Sequence, residues 1–124
     1  MKVCIVGTGN QGTGMAGLLA QEADMEELVL VDIDLAKAQK AADLVHSLGD
    51  RCLVKHIRVA QADASDTAAI TELAKGCDLL FNGIYACYNY SLMRASLAAG
   101  THYTDLRSNV VEGPGVPYRE TIDA

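Results

Sequence analysis

At 124 residues the chain has the length of one ordinary domain. It is 50% hydrophobic and 21% charged, enough apolar surface to build a packed core, which excludes a disordered chain. The net charge of -6, with Lys and Arg scattered singly, excludes the basic footprint that nucleic acid or an anionic membrane surface requires, and no apolar run is long enough to cross a bilayer. The first apolar run, residues 2–6, does not alternate with polar residues and therefore reads as a central parallel strand buried on both faces. It is too short for a secretory leader and no small-residue cleavage site follows it, so a cytoplasmic protein is expected. A glycine loop comes next, then a helix over 11–22 carrying Met15, Ala16, Leu18, Leu19 and Ala20. Residues 28–31 form a second strand of the same buried type, ending at Asp32. Asp34 is placed to cap a helix over 35–48, and Gly49 to stop it. A third strand lies within 53–60, with Ile57 and Val59 inward. Asp66 and Thr67 open a short helix that ends before Gly76. The last three elements are a strand over 78–81, a helix over 90–99 stopped at Gly100, and a strand over 102–106. Residues 110–117 hold Pro and Gly and read as a loop, while 118–124 has the pattern of a further helix cut short. That ending leads us to expect a single nucleotide-binding domain taken from a longer polypeptide, with a C-terminal substrate domain beyond it.

Strand and helix alternate throughout, so the fold class is α/β: a doubly wound parallel sheet of the Rossmann type, with strand order 3-2-1-4-5. Gly7-Thr8-Gly9-Asn10-Gln11-Gly12 matches G-x-G-x-x-G. Six residues are weak grounds alone. Here a buried strand precedes them, a helix follows, and an acid closes the next strand. Gly7 permits the tight turn, Gly9 lets a pyrophosphate approach the backbone, and Gly12 lets helix and sheet pack closely. The N–H groups near Asn10 and Gln11 then face phosphate oxygens at a helix N-terminus. Asp32 lies about 20 residues past Gly12, the spacing of an acid that accepts from the ribose hydroxyls. Its neighbour is Ile33, and no Arg stands at 33 or 35 to receive a 2′-phosphate, which favours NAD while leaving NADP possible. Asp63 and Ala64 follow the third strand and could meet the adenine, although Asp63 could equally cap the turn into the next helix. Asn82 and Gly83 end the fourth strand on the edge that passes beneath the nicotinamide ribose. Tyr85, Cys87 and Tyr88 lie in the loop that follows, facing either the nicotinamide side or a second domain, and Asp105 sits on the same ligand edge. His46, His56 and His102 have neither metal nor triad spacing. Cys4, Cys52, Cys77 and Cys87 include no C-x-x-C pair and read as reduced, small apolar residues, so no metal site is expected.

Four segments carry a family resemblance: Val3 through Gly12; Leu30-Val31-Asp32-Ile33-Asp34 with Ala36-Lys37-Ala38; Gln61-Ala62-Asp63-Ala64-Ser65-Asp66; and Ala98-Ala99-Gly100-Thr101-His102-Tyr103-Thr104-Asp105-Leu106. With these the chain resembles the N-terminal NAD(P)-binding domain of the saccharopine dehydrogenase-like family. The last segment discriminates most, because A-G-x-H-Y-x-D-L is not general dinucleotide-fold vocabulary. The resemblance implies a nicotinamide-dependent oxidoreductase acting on a C–N bond of an amino acid or secondary amine. It implies a dinucleotide and a small amino-acid-like substrate as partners. It carries over only cofactor positions, Gly7, Gly9, Gly12, Asp32, Asp63 and the Asn82-Gly83 turn, because proton-transfer residues of this family lie largely in a second domain. The full-length protein is expected to be a homodimer. The chain departs from many relatives at Ile84-Tyr85-Ala86-Cys87-Tyr88, where they have a proline-containing loop, and matches poorly after Leu106. Two rival readings use the same loop. One is a nucleotide-sensing domain of the potassium-transport type, against which residues 100–106 speak. The other is a domain kept only for dimerisation.

Overall fold

The computed structural model describes residues 1–106. Five strands form one sheet in the order β3-β2-β1-β4-β5, every neighbouring pair parallel. They are β1 (Lys2–Val6), β2 (Glu27–Asp32), β3 (His56–Gln61), β4 (Leu79–Asn82) and β5 (His102–Asp105). Between them run α1 (Asn10–Leu19), α2 (Leu35–His46), α3 (Thr67–Ala74) and α4 (Asn89–Ala99). The expected fold class and strand order are both present.

The continuous apolar runs are explained by what covers each face. Successive side chains of a strand point to opposite sides. Val3 and Ile5 of β1, with Leu28 and Leu30 of β2, pack on Ala16 and Ala20 beside α1 and on Ala41, Ala42 and Val45 of α2. Cys4, Val6, Val29 and Val31 point the other way, onto Ile70 and Ala74 of α3 and Leu92 and Ala95 of α4. Both faces of β1 and β2 are thus buried, and neither strand can show an alternating pattern. The edge strand β3 does alternate, and its Ile57 and Val59 pack inward as expected. The helices present mostly Ala to the sheet, which lets them approach closely.

Several element ends differ from expectation, each with a local cause. α1 stops at Leu19, three residues early. The Ala20 carbonyl instead accepts from the amides of Leu53 and Val54 at 2.7 and 3.1 Å, tying the lead-in to β3 against the helix end. α2 ends at His46, and Gly49 opens a separate 3-10 turn, Gly49–Arg51, with φ +60°. β4 begins at Leu79 because Asp78 lies at the sheet's rim, its carboxylate accepting from the Lys2 amide at 2.8 Å. α4 starts at Asn89 after a 3-10 turn, Ala86–Tyr88, and Gly100 ends it in the left-handed conformation, φ +74°. The expected loop at 110–117 and helix at 118–124 lie outside the described residues. No helix of the described residues is long and apolar enough to cross a membrane.

Candidate functional site

The chain runs outward through β1, β2 and β3, then returns to β4 on the other side of β1. A crevice opens where the order reverses, at the carboxyl ends of β1 and β4. The glycine loop lies there. Gly7 has φ +95°, accessible to glycine at no steric cost. Its carbonyl is clamped from two sides. A Cβ on Gly12 would land inside the Gly7 oxygen, and a Cβ on Gly83 would meet that oxygen at 2.8 Å and the Gly12 Cα at 2.9 Å. Gly83 therefore packs directly against the glycine loop.

Gly9 is different. Its φ of -74° suits any residue, and nothing in the protein lies within 4 Å of where its Cβ would be. Protein packing gives no reason for glycine at this position, as at Gly14 and Gly17, and it leaves the outer side of the loop open. The helix behind it agrees. α2 and α3 are capped by the carboxylates of Asp34 and Asp66, accepting from Ala36 and Ala69 at 3.0 and 3.1 Å. α1, like α4, has no side-chain cap. Its first residue, Asn10, lines the same open cleft as Gly9.

Asp32 holds the loop from β2. Its Oδ2 accepts from the Thr8 amide at 2.9 Å and the Thr8 hydroxyl at 2.8 Å, and its Oδ1 accepts from the Asp34 amide at 2.9 Å. Thr8 is buried, and its own carbonyl accepts from the Thr13 hydroxyl at 2.9 Å. Partial burial pushes the Asp32 carboxyl up. The amides of Asp34 and Thr8, the Thr8 hydroxyl and the charge of Lys37 outweigh that and hold it below the usual carboxylate value. A carboxylate has about four acceptor positions. Three are in use, so one on Oδ1 remains.

A narrow cleft beside this acid is lined by Val6, Gly7, Asp32, Ile33, Ala62, Asp63, Ala64, Ile84 and Tyr88. It brings together the loop, the β2 acid and the nominated Asp63-Ala64 pair. Asp63 also serves its own turn. Its Oδ1 accepts from the Ser65 amide and hydroxyl at 2.9 and 2.7 Å, which lowers its pKa. Ile84 was not singled out by the sequence, since an apolar loop residue carries no chemical signature, while Tyr88, expected to face the nicotinamide side or a second domain, lines this cleft. Tyr85, by contrast, is exposed.

Asn82 lines a small cavity at the carboxyl end of β4 with Gln11, Ile84 and Asn89. It is buried, and its amide donates to Asn89 Oδ1 at 2.6 Å and to the Tyr85 carbonyl at 3.3 Å, while its Oδ1 accepts from the Ile84 amide at 2.9 Å. The Tyr103 hydroxyl donates to the same Asn89 oxygen at 2.8 Å. This knot pins the loop 83–88 to β4 and α4. Burial, with the Asp105 carboxylate beside it, raises the Tyr103 pKa. Tyr103→Phe removes one donor from the knot and is expected to lower stability by about 1 kcal/mol, read as a shift in the urea midpoint. An unchanged midpoint would show that the knot does not need its phenol. Cys87 is exposed, Cys4 and Cys77 are buried, Cys52 is half-buried, and all four are free thiols. Among the described residues no three His, Cys, Asp or Glu gather as a metal site.

The sheet order, the clamped glycine loop and the acid at the end of β2 together define a dinucleotide-binding domain of the Rossmann class. The chain belongs to the family of saccharopine dehydrogenase NADP binding domains, whose model matches residues 3–121. Among solved structures it is similar to apo saccharopine dehydrogenase (L-Glu forming) from Saccharomyces cerevisiae, at 17% identity and TM-score 0.70 over 90% of this chain and 22% of that one. That likeness is one of fold. It is also similar to an NADPH-dependent quinone oxidoreductase from Escherichia coli, at 27% identity and TM-score 0.59 over 80% of this chain and 32% of that one. The NADPH complex of the same enzyme matches at 26% identity and TM-score 0.54 over 80% of this chain and 34% of that one. The chain therefore spans between 22% and 34% of the length of these structures. Its cofactor class is a nicotinamide dinucleotide.

Proposed function

We propose that this chain is the cofactor-holding part of an oxidoreductase that moves a hydride between a nicotinamide dinucleotide and a carbon bearing nitrogen, in an amino acid or secondary amine. The observation that carries the cofactor half is Gly9: open space at its missing Cβ, next to an uncapped helix N-terminus. In this reading Gly7, Gly9 and Gly12 shape the cradle, and the amides of Asn10 and Gln11 receive the pyrophosphate. Thr8 ties the loop to Asp32, whose remaining Oδ1 position accepts a ribose hydroxyl. Ile33, Asp63 and Ala64, with Ile84 and Tyr88, enclose the adenine side. Asn82 and Gly83 hold the floor of the crevice in place from beneath. The bound dinucleotide supplies the hydride chemistry, and the chain orients it and keeps water from the cradle. The C–N half rests on family membership and on the Gly100–Leu106 resemblance.

The test uses the complete protein that contains this chain. It is incubated with NADP+ or NAD+ and a panel of amino acids and secondary amines, and in parallel with hydroxy acids, while absorbance at the reduced-nicotinamide band is followed. Reduction with nitrogen substrates alone is expected. Reduction with hydroxy acids alone would overturn the substrate class. Saturable dinucleotide binding with no turnover on any substrate would favour the sensor reading.

A further inference from the structure

We propose that Asn82-Gly83 is a site of spontaneous deamidation, reached only when the loop 83–88 opens, and that its products prevent the loop from closing again. In this reaction the Gly83 backbone nitrogen attacks the carbonyl carbon of the Asn82 side chain. The N–Cγ bond forms, the Cγ–Nδ2 bond breaks, ammonia leaves, and a five-membered imide remains. Water then opens one of the two imide bonds. One opening leaves aspartate at 82, and the other leaves isoaspartate, with the main chain rerouted through Cβ. Nothing is oxidised or reduced, and water is the one co-reactant. A following glycine favours the attack because no Cβ shields the nitrogen or restricts its backbone. Asn82-Gly83 is the only such pair in the chain, the other asparagines preceding Gln11, Tyr90 and Val110.

The packing imposes both halves of this pair. At 83 a Cβ would meet the Gly7 oxygen at 2.8 Å and the Gly12 Cα at 2.9 Å. At 82 the side chain must donate and accept at once. Its NH2 serves Asn89 Oδ1 and the Tyr85 carbonyl, and its oxygen takes the Ile84 amide. Aspartate and leucine, of similar length, cannot do both. The closed loop also protects the pair. The attacking nitrogen donates its proton to the Val6 carbonyl at 2.8 Å, the leaving amide is held by two acceptors, and Asn82 is buried. The reaction therefore runs at the rate of an unfolded chain multiplied by the fraction of time the loop is open. Neither product restores the knot. Aspartate at 82 sets a buried acceptor against Asn89 Oδ1 and the Tyr85 carbonyl, where the amide had donated. Isoaspartate lengthens the main chain beside Gly83, where the protein has no room for one further carbon. Either change unpins the loop next to Gly7, so time spent open becomes permanent loss of the crevice.

The test holds the complete protein that contains this chain in warm, mildly alkaline buffer, folded or unfolded in guanidinium chloride. The peptide carrying residue 82 is followed by mass spectrometry, with aspartate and isoaspartate separated by chromatography. In the unfolded chain Asn82 should deamidate faster than Asn10, Asn89 and Asn109. Folding should slow it at least about tenfold, the least that three net hydrogen bonds provide. Tyr103→Phe, which takes one donor from Asn89, should deamidate about fivefold faster than the parent when folded and at the parent rate when unfolded. Asn82→Asp makes one product directly and should lower the urea midpoint. Absence of a fast reaction at Asn82 in the unfolded chain overturns the site. Folding that slows it less than about tenfold overturns the protection, and the parent protein alone decides both points. A folded Tyr103→Phe protein that reacts like its parent overturns the knot as the gate. An unchanged midpoint in Asn82→Asp overturns the claim that the product cannot close.

Discussion

Gly12→Ala is expected to destabilise the domain by about 3 kcal/mol or more, at the upper end of what overpacking costs, and to remove measurable dinucleotide binding. One methyl group suffices because there is nowhere to put it. The added Cβ would overlap the Gly7 carbonyl oxygen, lie 2.8 Å from the Gly7 carbonyl carbon and press the Ile5 methyl at 3.4 Å. Ile5 is a fully buried β1 side chain, and Gly83 closes the far side of the same carbonyl. Relief therefore requires α1 to move off the sheet, which opens the Ala16 contact with β1 and misplaces the loop together. Gly9→Ala is the control that separates the two effects. Its Cβ meets nothing within 4 Å and its φ is -74°, so stability should fall by about 1 kcal/mol or less, the cost of a poorer N-cap. Its affinity for NADPH should nevertheless fall at least about tenfold, because the methyl occupies the approach to the cradle. Urea unfolding and NADPH titration on the two variants decide both points. A Gly12→Ala protein that melts like its parent would refute the close packing, and a Gly9→Ala protein that binds like its parent would refute the cradle.

What could be read in the sequence depended on the range over which each interaction acts. β1 and β2 were legible because burial on both faces leaves an uninterrupted apolar run. The Asp34 and Asp66 caps were legible because each bond spans two or three residues and follows a local rule. The end of α1 was not, because the groups that take the Ala20 carbonyl come from Leu53 and Val54, more than one crossover away. The site divides along the same line. A spacing rule pointed to Asp32, but its bonds to Thr8 join residues 24 apart. No periodicity announces them. Lys37 and Lys40 are scattered single charges in the sequence, and only the fold sets them beside the glycine loop.

Asn82 shows the opposite limit. Its place at the end of β4 correctly put it at the crevice, and its polarity invited a ligand role. Its amide is already used within the protein, on Asn89, Tyr85 and Ile84. A buried amide left unpaired costs about 1–3 kcal/mol, so a knot of this kind forms wherever the fold buries one. Sequence gives the position of such a side chain on the ligand edge more readily than the direction in which it faces.

Asp32→Ala is expected to cost about 3–5 kcal/mol of stability at neutral pH and more than about tenfold in dinucleotide affinity. The variant strips acceptors from the amide and hydroxyl of buried Thr8 and from the Asp34 amide. Bonds to a charged acceptor contribute about 1.5–3 kcal/mol each, discounted here because Asp32 is partly open to water. Asp32→Asn is no milder in kind. Its NH2 must face either the Thr8 amide or the Asp34 amide, donor against donor, whichever way it is flipped. The pH dependence tests the assignment separately. The Asp32 pKa is lowered in the folded state, so its contribution is present above the unfolded value of about 3.9 and fades as pH falls through the lower folded value. The stability gap between parent and Asp32→Ala should therefore be constant from about pH 7 to pH 5 and narrow steadily below about pH 4. Urea midpoints across that range measure it. A gap that persists unchanged at pH 3 would mean that Asp32 supports the loop by shape, and that its charge has no part in holding Thr8 or in meeting the ribose.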